Sequence, residues 1–172
     1  MSYFGTDGIR GVAGQDLTAR TAFSLGNALA RAKKGARVVL GRDTRTSSDM
    51  LALALAAGVT AGGGTVLGGG VLPTATVSFF VRREGADFGV VVSASHNPPE
   101  YNGLKVFGAD GRKLADEEEQ KLERLMESYA FAPALRCGRE FALRERGGYV
   151  DYLVSCCPAP LAGRTFVLDC AN

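Results

Sequence analysis

The sequence predicts a three-layer α/β/α domain on a mixed, mostly parallel sheet. Strand-like and helix-like segments alternate through the first ninety-odd of 172 residues, as in crossover-linked strands covered by helices. Phe88-Gly-Val-Val-Val92 is a continuous apolar run, the signature of a strand buried on both faces. Asp110-Gly111 between two short runs is a hairpin signal, so not every strand is parallel. The length suits one medium domain and the start of another. We expect the first through residue 153, with 154–172 a linker and the first strand of a truncated second domain.

The elements follow in order. A helix is predicted from Asp16-Leu17-Thr18 to about Lys34, with Ala22, Leu25, Gly26 and Leu29 on one face and Gly35 as its stop. Arg37–Leu40 reads as a short strand ending in a polar turn, Gly41–Ser48. Residues 49–61 form a helix that is apolar almost all round and is expected to be covered on most sides. Thr65–Leu67 is the next strand, between two glycine triplets. Pro73 suits the first turn of a helix over 74–83, and the strand at 88–92 follows. Gly103–Phe107 and Arg112–Leu114 flank the hairpin signal. Asp116 with Glu119 resembles a capping box, Glu117–Glu119 reads as a solvated helix start, and Leu122, Leu125, Met126 and Tyr129 give that helix an apolar face. Residues 130–147 lose periodicity and read as a connecting segment. A short helix is predicted over 148–157, and Arg164–Asp169 reads as a strand. That strand lacks sheet partners, so it is expected to pack on its own domain or pair with another copy in a homodimer. It also makes us expect the chain to be the front of a longer protein.

Composition excludes several function classes. Lys+Arg exceeds Asp+Glu by 20 − 18 = 2, too little to argue for nucleic acid. No apolar run is long enough to span a membrane, and the N-terminus lacks a signal-peptide pattern, so a cytoplasmic protein is expected. Cys137, Cys156, Cys157 and Cys170 show no C-x-x-C spacing and read as buried or idle thiols of a reducing compartment.

The chemistry-bearing residues gather after the buried strand. Ser93-Ala-Ser-His-Asn-Pro98 presents a hydroxyl, an imidazole and an amide beyond a strand's carboxyl end, where ligands of open α/β sheets bind. His96, the chain's one histidine, is Ser95's immediate neighbour; adjacent loop residues diverge, and G-x-S-x-G is absent, so a serine hydrolase is disfavoured. A phosphoryl-carrying serine needs instead a positive clamp, a divalent metal and an acid/base. In Phe4-Gly-Thr-Asp-Gly-Ile-Arg-Gly11 three glycines permit close approach to a ligand, and Arg10 offers a planar fork for phosphate. Lys105, ten residues past Ser95, is placed to return to the site and move a proton if nearby cations depress its pKa. Gly41-Arg-Asp-Thr-Arg45 is more often a salt bridge between loops than a ligand site.

These three stretches, with Tyr101-Asn-Gly-Leu-Lys105 and Leu168-Asp-Cys-Ala-Asn172, resemble the α-D-phosphohexomutase superfamily, and within it the bacterial phosphoglucosamine mutases. Pro99-Glu-Tyr-Asn-Gly-Leu-Lys105 is closer to the phosphomannomutase/phosphoglucomutase pattern, which keeps that activity as the alternative. The resemblance implies the first domain of such an enzyme. Ser95 would be its phosphoserine, His96 and Asn97 would shape the loop, and Arg10, Asn97, Asn102 and Lys105 would bind phosphate, with Arg10 and Lys105 assisting transfer. The substrate would be a hexosamine phosphate: glucosamine 6-phosphate would become glucosamine 1-phosphate through a 1,6-bisphosphate intermediate that also serves as activator. Mg²⁺ would be met here only through the phosphate on Ser95, because the D-x-D-x-D loop that such enzymes carry is absent from these residues. The chain alone is therefore expected not to isomerise sugars. A non-catalytic phosphate-binding or interaction domain is the alternative from another class.

Overall fold

A computed structural model describes residues 3–5, 7–128, 136–144, 147–157 and 159–169. The elements are β1 (Ile9–Val12), α1 (Ala19–Ala32), β2 (Arg37–Arg42), α2 (Thr46–Ala61), β3 (Thr65–Val71), α3 (Thr74–Arg83), β4 (Phe88–Val92), β5 (Tyr101–Gly108), α4 (Asp116–Glu127), β6 (Arg139–Ala142) and α5 (Gly148–Ser155). The six strands lie in the order β1-β5-β4-β2-β3-β6. β2, β3, β4 and β6 are mutually parallel, while β5 runs antiparallel to both its neighbours, β4 and β1. The sheet is mixed and mostly parallel, as expected.

Period-two alternation builds the three layers. Val38, Leu40, Val90 and Val92 face one core with Leu25, Leu29, Leu51, Leu55, Val59 and Leu122 from α1, α2 and α4. Val39 and Val91 face the other, with Val77, Phe80 and Val81 of α3. Thr18 caps α1, its side chain accepting the Thr21 N–H at 3.2 Å. Across the crossing of α1 and α2, a Cβ on Gly26 would stand 2.1 Å from the Leu55 carbonyl oxygen, and one on Gly58 2.1 Å from that of Phe23. Only hydrogen fits at either position.

Several expectations are corrected. The antiparallel character comes from β4 and β5 flanking the Ser95 loop, and from β1; after Asp110-Gly111 there is only the bridge Phe107–Lys113. β1 is a strand that the sequence did not signal, and β6 lies in the segment that reads as a connection. Both are four-residue strands held through a single neighbour. In α2 the stripe through Met50 and Leu53 is open, Leu53 being 69% exposed, because α1 and the sheet cover only the other faces. Ala115, not Asp116, precedes α4; its N–H donates to Glu118 Oε2 at 3.2 Å, but an alanine has no side-chain acceptor with which to complete a capping box. Glu119 is buried rather than solvated: burial pushes its carboxyl above the ordinary range, against the ion pair with Lys113 at 3.3 Å. Cys137, Cys156 and Cys157 are free and exposed, not buried, while Cys170 and Tyr129 lie outside the described residues. Residues 164–169 are exposed and pair with no other strand among the described residues, so the expected strand is not formed there; a strand exists only with a pairing neighbour. Among the described residues no helix is long and apolar enough to cross a membrane.

Candidate active site

Ser95 stands in the loop joining β4 to β5, beyond the carboxyl end of a strand inside the sheet. Ala94 is fully buried while Ser95 and His96 are exposed, so the loop is pinned beneath and presents its polar side chains outward. Ser95 adopts φ +58°, the left-handed region, which costs a residue with a Cβ about 1–2 kcal/mol. Among the described residues it is the single non-glycine there. Its N–H donates to Ser93 Oγ at 3.0 Å. Its hydroxyl lies 3.4 Å from His96 Nδ1, so the two side chains do not diverge as adjacency suggested; the left-handed turn at Ser95 brings them onto one side.

Arg10 and Lys105 meet at Asp7. Asp7 Oδ1 accepts from Lys105 Nζ at 2.7 Å and Oδ2 from Arg10 Nη2 at 2.5 Å. The Lys105 hydrogen bond, opposed by partial burial and reinforced by the charges of Lys105 and Arg10, holds the Asp7 carboxyl below its ordinary value. The partner the structure gives Lys105 is thus a carboxylate rather than another cation. β1–β5 register sets Arg10 opposite Gly103. A Cβ on Gly103 would lie 2.8 Å from the Ser93 carbonyl oxygen and 3.2 Å from Arg10 Cγ. The stem of Arg10 therefore runs beside the strand end that delivers Ser95. Any anion approaching Arg10 or Lys105 would have to compete with Asp7 for it.

Asn102 is a correction. It is fully buried, its Nδ2 donates to Ser47 Oγ at 2.8 Å and Ser48 Oγ at 2.9 Å, and its Oδ1 accepts from the Gly103 N–H at 2.8 Å. It joins α2 to β5 and offers nothing to a ligand. Asn97 is half-buried and tied through its backbone carbonyl, not its side chain.

The Gly41–Arg45 turn reads in the sequence as more often a salt bridge between loops than a ligand site, and the structure places an ion pair within the turn itself: Arg45 Nε donates to Asp43 Oδ2 at 3.0 Å. The rest of the guanidinium donates to loop carbonyls, of Ser95 at 3.0 Å, Asn97 at 2.7 Å, Pro98 at 2.7 Å and Tyr101 at 3.0 Å. The Arg-x-x-Arg turn signalled a loop contact, but nothing local named the loop some fifty residues away. Burial raises the Asp43 carboxyl, and hydrogen bonds from Ser48, Ser93 and Arg45 outweigh it, leaving it below the ordinary 3.8. Its pairing thus stabilises the fold above that ordinary value and is lost as pH falls through the lower folded value. Melting temperature is expected to fall below about pH 4, and less steeply in Asp43→Asn. An equal fall in that variant would remove Asp43 as a cause.

Among the described residues no three His, Cys, Asp or Glu side chains gather to hold a metal. Asp7 and Asp43, the carboxylates near the loop, are engaged by cations and hydroxyls. A phosphoryl group on Ser95 would supply only part of the octahedral oxygen shell of Mg²⁺. These residues do not make a magnesium site by themselves.

A family model described as phosphoglucomutase/phosphomannomutase, alpha/beta/alpha domain I, matches residues 1–133. The chain is 49% identical to phosphoglucosamine mutase of Deinococcus deserti, over 99% of this chain and 40% of that protein. It is 48% identical to phosphoglucosamine mutase of Syntrophomonas wolfei, over 98% and 40%. It thus spans about 40% of the length of the curated relatives it matches. Among solved structures, a phosphoglucomutase/phosphomannomutase family protein of Burkholderia thailandensis superposes with a TM-score of 0.77 at 33% identity, over 90% of this chain and 36% of that one.

Proposed function

The chain belongs to the phosphoglucomutase/phosphomannomutase family, and we propose that Ser95 is the phosphoryl carrier of a cytoplasmic phosphosugar mutase acting on glucosamine phosphates. The observation that carries the reading is the exposed, left-handed Ser95 at the end of β4, with its loop fixed from outside by Arg45. The names of the relatives support the sugar.

In the proposed cycle the 1-hydroxyl of glucosamine 6-phosphate attacks the phosphorus on Ser95. The phosphorus–Oγ bond breaks as the phosphorus–O1 bond forms, the hydroxyl proton passes to a base, and glucosamine 1,6-bisphosphate results. After the sugar turns, Ser95 Oγ takes the 6-phosphoryl group, the 6-oxygen regains a proton, and glucosamine 1-phosphate leaves. Arg10 supplies a fixed charge to the moving phosphoryl oxygens. Lys105, released from Asp7 as the phosphate arrives, supplies a second charge and a transferable proton. His96 steadies the Ser95 oxygen. Mg²⁺, when bound, would neutralise charge on the transferring group, and its remaining ligands are to be sought outside these residues. The chain by itself is proposed to carry the phosphoryl group without completing the mutase reaction.

The test is to incubate the full-length protein bearing this sequence with glucosamine 1,6-bisphosphate and follow intact mass. One phosphoryl group, mapped to Ser95, is expected, with glucosamine 6-phosphate favoured over mannose and glucose 6-phosphates by about tenfold or more in kcat/KM. Phosphate mapping elsewhere would sink the assignment of Ser95. Faster turnover of mannose or glucose phosphates would instead transfer the chain to the phosphomannomutase/phosphoglucomutase activity.

A further inference from the structure

We propose that Arg45 is a positioning residue for Ser95, its guanidinium setting the orientation of the hydroxyl by gripping the loop through its carbonyls. The proposal rests on the reading of Ser95 as phosphoryl carrier. An arginine side chain has five N–H donors, and here Nε serves Asp43, Nη1 serves Pro98 and Tyr101, and Nη2 serves Ser95 and Asn97. The side chain is 12% exposed. With its donors so engaged it is not a phosphate ligand, and its action on the reaction passes through the backbone of the loop.

The loop has few means of its own to hold this shape. Between β4 and β5 its own backbone bonds include Asn97 N–H to the Ala94 carbonyl at 3.2 Å and Tyr101 N–H to that of Pro98 at 3.1 Å. Against these stand four carbonyls drawn to one cation, one of them belonging to Ser95 itself. The cation is in turn held to the sheet. The Asp43 N–H donates to the carbonyl of Val92, the last residue of β4, at 3.0 Å, and Ser48 Oγ donates to Asp43 Oδ1 at 2.5 Å. Buried Asn102 on β5 then donates to Ser48. The network runs from β5 through α2 and the end of β2 back to Ser95, so the strands before and after the loop are referred to one guanidinium. A lysine, a point charge with three donors, cannot reproduce the planar fork.

The experiment combines amide hydrogen exchange with the rate of Ser95 phosphorylation by a hexosamine bisphosphate, in full-length wild type, Arg45→Lys and Arg45→Ala. Exchange is expected to quicken across 93–102 and stay unchanged in β2 and β3. Phosphorylation in Arg45→Ala is expected to slow about a hundredfold, the scale set by displacing a reacting group by about 1 Å. Arg45→Lys should fall between. Added free guanidinium should restore part of the rate in Arg45→Ala, which a loss of global stability would not allow. Should Arg45→Ala fail to fold, Arg45→Lys carries both measurements. Wild-type exchange across the loop together with a wild-type rate in the folded variants would overturn the proposal. Absence of phosphate on Ser95 in the wild type would overturn the carrier reading, while faster loop exchange in the variants would still support the grip of Arg45.

Discussion

Ser95→Ala is expected to abolish phosphoryl transfer in the full-length protein while leaving the fold in place. Removing a group that becomes covalently bonded to the transferred fragment costs about a thousandfold or more in rate, as for other nucleophiles. The fold should not notice, because among the described residues the polar contact of the hydroxyl is the 3.4 Å approach to His96. A second substitution separates chemistry from backbone. Ser95→Gly also lacks the hydroxyl, but it removes the left-handed penalty at φ +58° and should raise stability by up to about 1 kcal/mol. Transfer assays and thermal melts on both variants form the check. Retained transfer in either would reject Ser95 as the carrier, and a lower melting temperature in the glycine variant would mean that the loop relies on the serine side chain.

Gly58→Ala is expected to cost the fold heavily for a single methyl group. The added carbon would lie 2.1 Å from a backbone oxygen of α1, and the helices can relieve this only by moving apart. Gly26, reciprocally placed 2.1 Å from the Leu55 carbonyl oxygen, shows that the closeness belongs to the crossing and not to one side chain. Overpacking costs about 1–3 kcal/mol or somewhat more, and the better helix propensity of alanine returns less than about 1 kcal/mol. A net loss of about 2–3 kcal/mol should lower the melting temperature by roughly 5–10 °C. Gly147→Ala, where a Cβ meets nothing within 4 Å, is the control and should change stability by less than about 0.5 kcal/mol. Equal melting of both variants would refute the close crossing.

The central part of the fold was legible because burial on both faces leaves a mark in the chain. Val90–Val92 could hardly be anything but an inner strand, and Ser95 beyond it was found by position as much as by type. The edges left no such mark. Ile-Arg-Gly-Val at β1 contains a glycine and a charge, all of β6 is exposed, and each owes its existence to a neighbour far away in sequence. The site divides in the same way. The loop residues were legible, whereas Arg45 and Asn102 have roles fixed by the adjacency of β2, β4 and β5, which no local pattern encodes. Asn102 misled because an amide in a polar motif looks the same whether it faces a ligand or a hydroxyl of α2.

The pairing of β1 with β5 also sets a timetable. Ile9 is laddered to Leu104 and Val12 to Tyr101, separations of 104 − 9 = 95 and 101 − 12 = 89 residues. A ribosome adding about 5–20 residues per second takes roughly 5–20 seconds to cover that interval. For all of it the first strand has emerged and its partner does not yet exist. Arg10 and Asp7 must wait as long for Lys105, so the cationic side of the site is completed late in synthesis, after the strand that leads to the serine has been made.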